Sequence, residues 1–342
     1  MTRAAEGSAV TDASDGVPGW ALPALERVLR RVDVTRREVG ERFPLFAEPG
    51  SGRWTTTGRG SWTGGFWAGL LWLRARCTRD GGDREAALRV TERLSPWGEV
   101  DTATRGLILW YGTALAEGPA ATALRSRAAR ACRDAFDAGL GIVPWGAAFG
   151  GPRLVARVDG VPGMVPLLAT VDPGAATSHL RRHLELCLGE GSFRWAWECE
   201  RPDRWTALDD PPPGWSRGPA WLLLALADAM HGLGVDGHTH AVRRLMPARA
   251  VPPADGARPE GPLDTSAAAI TAVALLKLGH RGRAVEILGE LVRDHLSDDG
   301  RLLDGCYDLR SGTATRHELV WGDFFLAYGL AVLTGLLPPH HA

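Results

Sequence analysis

The chain has 342 residues, and its 39 basic and 40 acidic side chains give a net charge of −1. This neutral balance gives no electrostatic sign of binding to nucleic acid or to an anionic membrane, so neither is expected as a partner. Apolar residues make up 45% and charged residues 23% of the chain, which is typical of a folded globular protein. Tryptophan, with 14 copies, outnumbers the 8 phenylalanines and 3 tyrosines together. Its flat ring and single N–H donor suit the face and hydroxyls of a sugar.

The N-terminal segment 1–16 is polar and rich in Gly, Ala and Asp, and it is predicted to be a disordered lead-in. It lacks the apolar stretch of a secretory signal, and no later apolar run reaches membrane-spanning length. The five cysteines are scattered and form no Cys-x-x-Cys pair, which favours reduced thiols in a cytoplasmic protein.

Helical segments of ten to eighteen residues then alternate with Gly- and Pro-rich breaks. The twelve predicted helices are 21–32, 62–77, 84–94, 103–116, 121–138, 162–171, 175–188, 217–231, 239–248, 264–278, 283–295 and 319–336. Strand signals are few, at 153–158, 192–198 and 301–307. Six helical hairpins predict an all-α (α/α)6 barrel, with residues 17–338 as one domain. The long breaks 43–60, 140–160, 189–214 and 251–263 are expected to line a shared mouth.

Four motifs in chain order carry a resemblance to a known family. They are WTGGFWAGLLW at Trp62–Trp72, WSRGPAW at Trp215–Trp221, DTSAAAI at Asp264–Ile270 and WGDFF at Trp321–Phe325. They resemble motifs of the unsaturated glucuronyl hydrolases and the related unsaturated rhamnogalacturonyl hydrolases. The resemblance spans nearly the whole predicted barrel and implies the same fold.

The resemblance also implies a chemistry and a set of site residues. After Trp145, the segment RVDGVPGMVPLL is similar to the family's Asp-x-Met-Met-Asn-x-Pro-Leu-Leu, with one extra residue before Pro166. By that resemblance Asp159 is the general acid/base, which protonates C4 of a C4=C5 unsaturated uronic acid before water adds at C5. Arg217 is expected to pair with the substrate carboxylate. The expected substrate-binding aromatic residues are Trp62, Phe66, Trp145, Trp195, Trp215, Trp221 and Trp321.

The match fails at the position of the family's second acidic residue. In DTATRGL, from Asp101 to Leu107, Thr104 stands where the family has Asp. Asp101 lies about one helical turn away and is the candidate replacement. The family's Gln is also missing, because the chain has no Gln or Asn, and the family's strand His is replaced around Trp195.

Three functions stay open at this point. The first is a hydrolase or hydratase that acts on an unsaturated uronic-acid-like sugar. The second is a repurposed barrel that catalyses protonation, cyclisation or elimination on a sugar-derived small molecule in a biosynthetic pathway. The third is a non-catalytic sugar-binding or assembly protein. Asp159 and Arg217 facing one cleft would support the first two, and their separation in space would support the third.

Plainer structural roles compete with several of these predictions. Asp159 is suited to cap a helix that begins at Pro162, Asp264 is expected to cap its helix, and Asp323 is predicted to be a buried structural acid. His179, His183 and Cys187 share one helix face, but two neighbouring arginines and the lack of a fourth ligand argue against a metal. We therefore expect no metal or cofactor. The expected partner is a small sugar or sugar-derived molecule, and the oligomeric state, a homodimer included, stays open.

Overall fold

The structure is a computed structural model that describes residues 16–189, 191, 193–201, 204–234 and 238–342. The predicted lead-in 1–16 lies outside the described residues except for Gly16, as does Ser192 at the start of the second predicted strand.

Within the described ranges the chain forms twelve α-helices, at the twelve places that the sequence predicts. Two of them adjoin a π-helical turn. The turn Gly106–Trp110 comes directly before α4, and the turn Leu291–His295 comes directly after α11. The helices are α1 Ala21–Val39, α2 Gly64–Thr78, α3 Gly81–Glu92, α4 Tyr111–Thr113, α5 Pro119–Asp134, α6 Met164–Ala169, α7 Pro173–Cys187, α8 Arg217–Gly232, α9 Thr239–Leu245, α10 Thr265–Lys277, α11 Arg281–Glu290 and α12 Val320–Leu333.

The even-numbered helices form a closed inner ring. Helix α2 packs on α4, the π-helical turn before α4 packs on α6, and α6, α8, α10 and α12 follow in order until α12 returns to α2. The odd-numbered helices lie outside and pack on inner neighbours. Every residue of α10 and α12 is buried, as an inner helix requires. The predicted (α/α)6 barrel is therefore confirmed. Among the described residues, no helix combines the length and the apolar character needed to cross a bilayer.

Short antiparallel strands in the described residues form two three-stranded sheets beside the helices. Strands β1 Phe43–Ala47 and β2 Trp54–Thr57 pair with each other, and β1 also pairs with β6 Glu318–Leu319. Strands β3 Val155–Arg157, β4 Ala196–Arg201 and β5 Arg204–Ala207 form a second sheet.

The predicted strands are confirmed in two places and wrong in one. Strands β3 and β4 fall where the sequence predicts them, whereas 301–307 makes only isolated bridges. The break 43–60, expected at the mouth, instead contains the β1–β2 hairpin, because the apolar residues of its strands pack against α1, α2 and α12.

A buried acidic pair joins α12 to α1 and supports the structural role predicted for Asp323. Asp323 accepts a hydrogen bond from the Leu302 backbone N–H at 3.2 Å. Beside it, Glu318 accepts hydrogen bonds from Arg31 at 2.9 and 2.7 Å. Burial, together with the nearby Glu318 charge, raises the pKa of Asp323 well above its usual range.

Close backbone contact between α2 and the turn before α4 depends on Gly65. A Cβ atom at Gly65 would lie 2.3 Å from the carbonyl oxygens of Leu107 and Ile108, which is far inside van der Waals contact. The clash is with backbone, so no side-chain rotation relieves it, and the inner ring must open to accept any larger residue.

We expect Gly65→Ala to lower the free energy of unfolding by about 3 kcal/mol, because the added methyl separates two inner helices. Gly81→Ala, near the start of the outer helix α3, is the matched control, since a Cβ there meets nothing within 4 Å. The control should be neutral or stabilising by up to about 1 kcal/mol. Denaturant unfolding measures both changes, and equal midpoints for the two variants would contradict the close contact.

Candidate active site

A cavity of about 720 Å³ opens at the end of the barrel where the inner helices begin, a size typical of ligand sites. Three of the four predicted breaks, 140–160, 189–214 and 251–263, contribute to its wall. A further loop around Tyr307 completes the wall. The lining residues are Ser61, Trp62, Thr104, Leu107, Trp145, Phe149, Arg157, Asp159, Asp209, Asp210, Pro211, Pro212, Trp215, Arg217, Trp221, Ala254, Asp255, Arg258, Asp264, Cys306, Tyr307, Asp308, Leu309 and Arg310.

Asp159 lies in the wall of this cavity, on a single 3-10 turn that follows strand β3. The turn is held to the neighbouring segment by a hydrogen bond from the Val158 backbone N–H to the Trp195 carbonyl, at 2.9 Å. The Asp159 side chain is 18% exposed, so it can reach a ligand. It does not cap the next helix, because α6 begins later, at Met164, after Gly163. The capping role that competes with a site role is therefore wrong.

Arg157 is the immediate partner of Asp159. Its Nε donates to both Asp159 carboxylate oxygens, at 2.9 and 3.2 Å. Its guanidinium lies 5.0 Å from the Trp145 ring centroid, within cation–π range. Arg157 is not among the site residues predicted from the sequence, yet a signal is present. Arg157 lies in the predicted strand 153–158, Asp159 directly follows that strand, and side chains two residues apart along an extended chain point to the same face.

Arg217 lies at the start of α8 and is held by the protein itself. Its Nη1 donates to the Asp264 carboxylate and to the Cys306 carbonyl, and its Nη2 donates to the Tyr307 carbonyl at 2.8 Å. The guanidinium also lies 5.1 Å from the Trp215 ring centroid. The charge of Arg217 is therefore already matched inside the wall, which differs from the expected role as a free clamp for substrate.

Asp264 links this pair to the next inner helix. Its other carboxylate oxygen accepts the Ser266 backbone N–H at 3.1 Å, so it caps α10 as predicted. One carboxylate thus holds the starts of α8 and α10 and the loop at Cys306 together.

Four of the predicted aromatic residues line the cavity, and three do not. Trp62, Trp145, Trp215 and Trp221 belong to the wall. Phe66, Trp195 and Trp321 are buried, with 0–1% of their surface exposed, and are absent from the wall.

Each of the three buried aromatics supports a wall residue from behind, which corrects the expectation of ligand contact. Trp321 packs on Trp62 with ring centroids 4.8 Å apart, and Phe66 stacks on Trp221 at 6.3 Å. Trp195 lies against the first turn of α8 and donates from its Nε1 to the Pro213 carbonyl at 2.9 Å.

The structure does not bring Asp101 to the cavity. Its carboxylate accepts hydrogen bonds from Arg153 Nε at 2.8 Å and from the Ala147 backbone N–H at 3.2 Å, and it is absent from the cavity wall. Thr104 is the residue of that segment that lines the wall, and its hydroxyl is 2.8 Å from that of Thr102. The expected second acid is therefore replaced by a hydroxyl, not by Asp101.

The loop that carries Tyr307, Asp308 and Arg310 is a part of the site that the sequence does not predict. Tyr307 stacks on Trp62 with ring centroids 6.4 Å apart. Arg310 lies 3.6 Å from the Asp210 carboxylate across the mouth. No motif marks this loop in the sequence, because its position depends on the hairpin fold of the chain between α11 and α12.

Two buried histidines of α7 support the site from behind. His179 Nδ1 accepts the Val143 backbone N–H at 3.1 Å, and Nε2 faces the Gly160 carbonyl at 3.3 Å. This geometry requires the neutral tautomer with the proton on Nε2. His183 Nδ1 lies 2.8 Å from the His179 carbonyl. Both rings therefore serve backbone groups, and among the described residues no group of three or more His, Cys, Asp or Glu side chains is placed to hold a metal ion.

Burial lowers the pKa of His179 well below its usual range and lowers that of His183 to about 4. The unfolded chain takes up these protons near pH 6.5, whereas the folded protein takes up the proton on His183 only near pH 4. Unfolding is therefore increasingly favoured as the pH falls from about 6.5 to about 4.

We expect the loss of stability between pH 7 and pH 4 to include about 3 kcal/mol from His183 alone. His183→Gln removes this titration, so its Tm should fall less steeply over the same pH range than that of the wild type. Thermal unfolding followed by circular dichroism at several pH values measures the difference. Parallel curves for the two proteins would show that His183 is not held neutral.

No protein-family model matches the chain. Among curated proteins, the chain is similar to the unsaturated glucuronyl hydrolase of Bacillus sp. (strain GL1). The two are 26% identical over 345 residues, which covers 84% of this chain and 90% of that protein.

Solved structures of the same description share the fold. The structure of the Bacillus sp. GL1 unsaturated glucuronyl hydrolase, described as responsible for the degradation of glycosaminoglycan, matches with a TM-score of 0.80 and 23% identity, over 92% of this chain and 96% of that one. An unsaturated glucuronyl hydrolase described as specific for heparin matches with a TM-score of 0.82 and 19% identity, over 93% and 97%. A mutant enzyme from Streptococcus agalactiae, complexed with dGlcA-GalNAc6S, matches with a TM-score of 0.69 and 15% identity, over 91% and 90%.

Proposed function

We propose that this chain is a member of the unsaturated glucuronyl hydrolase family, because it shares their fold and is similar in sequence to one of them. The proposed reaction is release of an unsaturated uronyl group from a sugar by hydration of the C=C bond, with Asp159 as the general acid/base. The observation that carries the proposal is the position of Asp159: it is part of the cavity wall, in contact with Arg157 and partly exposed. Residues 17–338 are taken as the single catalytic barrel.

The proposed reaction has three steps. Asp159 in its acid form donates a proton to C4 of the C4=C5 bond, and positive charge develops at C5 beside the ring oxygen. Water adds at C5 and gives its proton to the Asp159 carboxylate, which restores the acid. The resulting hemiketal opens, and the leaving sugar departs with a proton, so that the overall change is the addition of one water molecule.

A single carboxyl can complete this cycle. The acid that has given its proton to carbon is the base that the incoming water needs. This matters because Thr104 stands in the wall where the family has its second acidic residue, and Asp101 lies outside. Thr104 can accept or donate a hydrogen bond to a substrate hydroxyl or to the water, but it cannot act as a base at neutral pH.

The wall also favours an anionic sugar. Helices α2, α8 and α10 begin at the cavity, so their positive dipole ends face the ligand. Trp62, Trp145 and Trp215 offer partly exposed ring surface for the apolar face of a pyranose and exclude water from the reacting carbons. Asp159 and Arg217 share one cavity, which supports an enzyme over a non-catalytic binding protein.

A second candidate function follows from the presence of Thr104 at the position of the family's second acidic residue. A cavity that holds Asp159 but has a threonine hydroxyl where the family has its second acid is suited to protonation followed by cyclisation or elimination on a sugar-derived small molecule. In that reaction an internal hydroxyl takes the place of water. Thr104 in the wall is the observation that favours it.

We expect Asp159→Asn to lower kcat on unsaturated uronyl disaccharides by about 10³-fold, because the amide cannot donate a proton to carbon. Loss of ultraviolet absorbance follows the consumption of the C=C bond directly. Asp101→Asn is the matched control, since its carboxylate binds Arg153 outside the cavity. It should stay within about threefold of the wild type, as a surface ion pair contributes little.

Equal losses in the two variants would contradict the assignment of Asp159. Activity of the wild type on none of these substrates would overturn the hydration reaction. Product analysis by mass spectrometry separates it from the second candidate, because hydrolysis adds the mass of water and cyclisation does not.

A further inference from the structure

We propose that Arg157, rather than Arg217, binds the carboxylate of the unsaturated uronyl substrate. This inference rests on the proposed function, because it concerns the substrate of the same reaction. It assigns substrate recognition to a residue that none of the four family motifs contains and that the structure places beside the acid.

The substrate itself sets a constraint on where its carboxylate can be bound. The carbon that is protonated, C4, and the carbon of the carboxylate are both bonded to C5. A protein group that reaches C4 and another that binds the carboxylate must therefore be close neighbours. Arg157 Nε lies 2.9 Å from the Asp159 carboxylate, which makes Arg157 the lining cation in direct contact with the proposed proton donor.

Arg157 has N–H groups available to bind a substrate carboxylate. Its side chain is 24% exposed in the cavity wall, and Nη1 has one partner, the Asp210 carbonyl at 3.2 Å. Nη2 has no hydrogen-bond partner among the described residues. The Trp145 ring, 5.0 Å away, limits the directions in which the guanidinium can turn. A carboxylate that enters beside Asp159 thus meets a guanidinium with a fixed orientation and free N–H groups.

Arg217 is unsuited to the same role. Its side chain is 6% exposed, and both terminal nitrogens already donate to groups of the protein. Its counter-ion Asp264 is fully buried, so diverting Arg217 to a ligand would leave a buried carboxylate without its partner. The ion pair therefore has a structural role, in which it holds the cavity wall together.

The other two arginines of the wall lie at its rim. The side chains of Arg258 and Arg310 are 72% and 77% exposed, and they lie 3.9 and 3.6 Å from Asp255 and Asp210. Exposed charges are screened by solvent and bind a carboxylate less tightly than a guanidinium that is partly withdrawn from water.

The test compares an unsaturated uronyl disaccharide with its methyl ester, which keeps the C=C bond and removes the negative charge. Arg157→Gln also removes the contact to Asp159, which lowers the activity on both substrates. This shared loss of activity cancels in the ratio of their kcat/KM values. We expect the ratio of acid to ester to fall by about 30-fold, the effect of one hydrogen bond to a charged group. Arg157→Lys, which keeps the charge, should retain most of the preference for the acid.

Arg153→Gln is the matched control. Arg153 also donates from Nε to an aspartate, Asp101, at 2.8 Å, but it is not part of the cavity wall. Its ratio of acid to ester should equal that of the wild type.

The outcomes distinguish this inference from the proposed function. If the wild type consumes the disaccharide but Arg157→Gln loses activity equally on acid and ester, Arg157 does not bind the carboxylate and the reaction assignment stands. The same conclusion follows if Arg217→Gln loses the preference for the acid while Arg157→Gln keeps it. If the wild type consumes neither substrate, the proposed reaction is overturned, and this inference with it.

Discussion

The buried ion pair of Arg217 and Asp264 is the interaction on which the cavity depends. It joins the starts of two inner helices, and through the carbonyls of Cys306 and Tyr307 it also holds the loop that completes the wall. Two charges withdrawn from water stabilise a structure only when their geometry is closely matched and their remaining hydrogen bonds are satisfied. Here Ser266 and the loop carbonyls satisfy them. The position of Tyr307 against Trp62, and hence the shape of the mouth, follows from this frame.

The barrel could be predicted because its sequence signals are local. Twelve apolar segments separated by Gly- and Pro-rich breaks form twelve helices, and Asp264 caps its helix because an aspartate in front of a helix has a short-range partner. Helix ends are predicted less accurately. The segment 103–116 is a π-helical turn and a short α-helix, since Gly106 lets the chain pack closely against Gly163 and Met164.

The site could be predicted only in part, because its contacts join distant parts of the chain. Asp159 and four tryptophans lie in one wall as predicted, yet the prediction for Asp101 counts one helical turn along a segment that is not helical. Phe66 and Trp321 lie in two of the four family-like motifs and Trp195 lies in a predicted strand, but all three pack behind the wall. A short motif encodes the scaffold as well as the site. The contribution of the Tyr307 loop depends on tertiary contacts that no short pattern encodes.

The hydrogen bonds of His179 have a mechanical consequence. One imidazole holds the backbone two residues before Trp145 and the backbone one residue after Asp159. Trp145 in the cavity wall and Asp159, the proposed proton donor, are thereby fastened to a common support, the helix α7. Because both segments are held by one side chain of α7, the distance between the Trp145 ring and the Asp159 carboxylate is set by a single helix. In the proposed reaction, the position of the acid then depends on His179, a residue that is not part of the cavity wall.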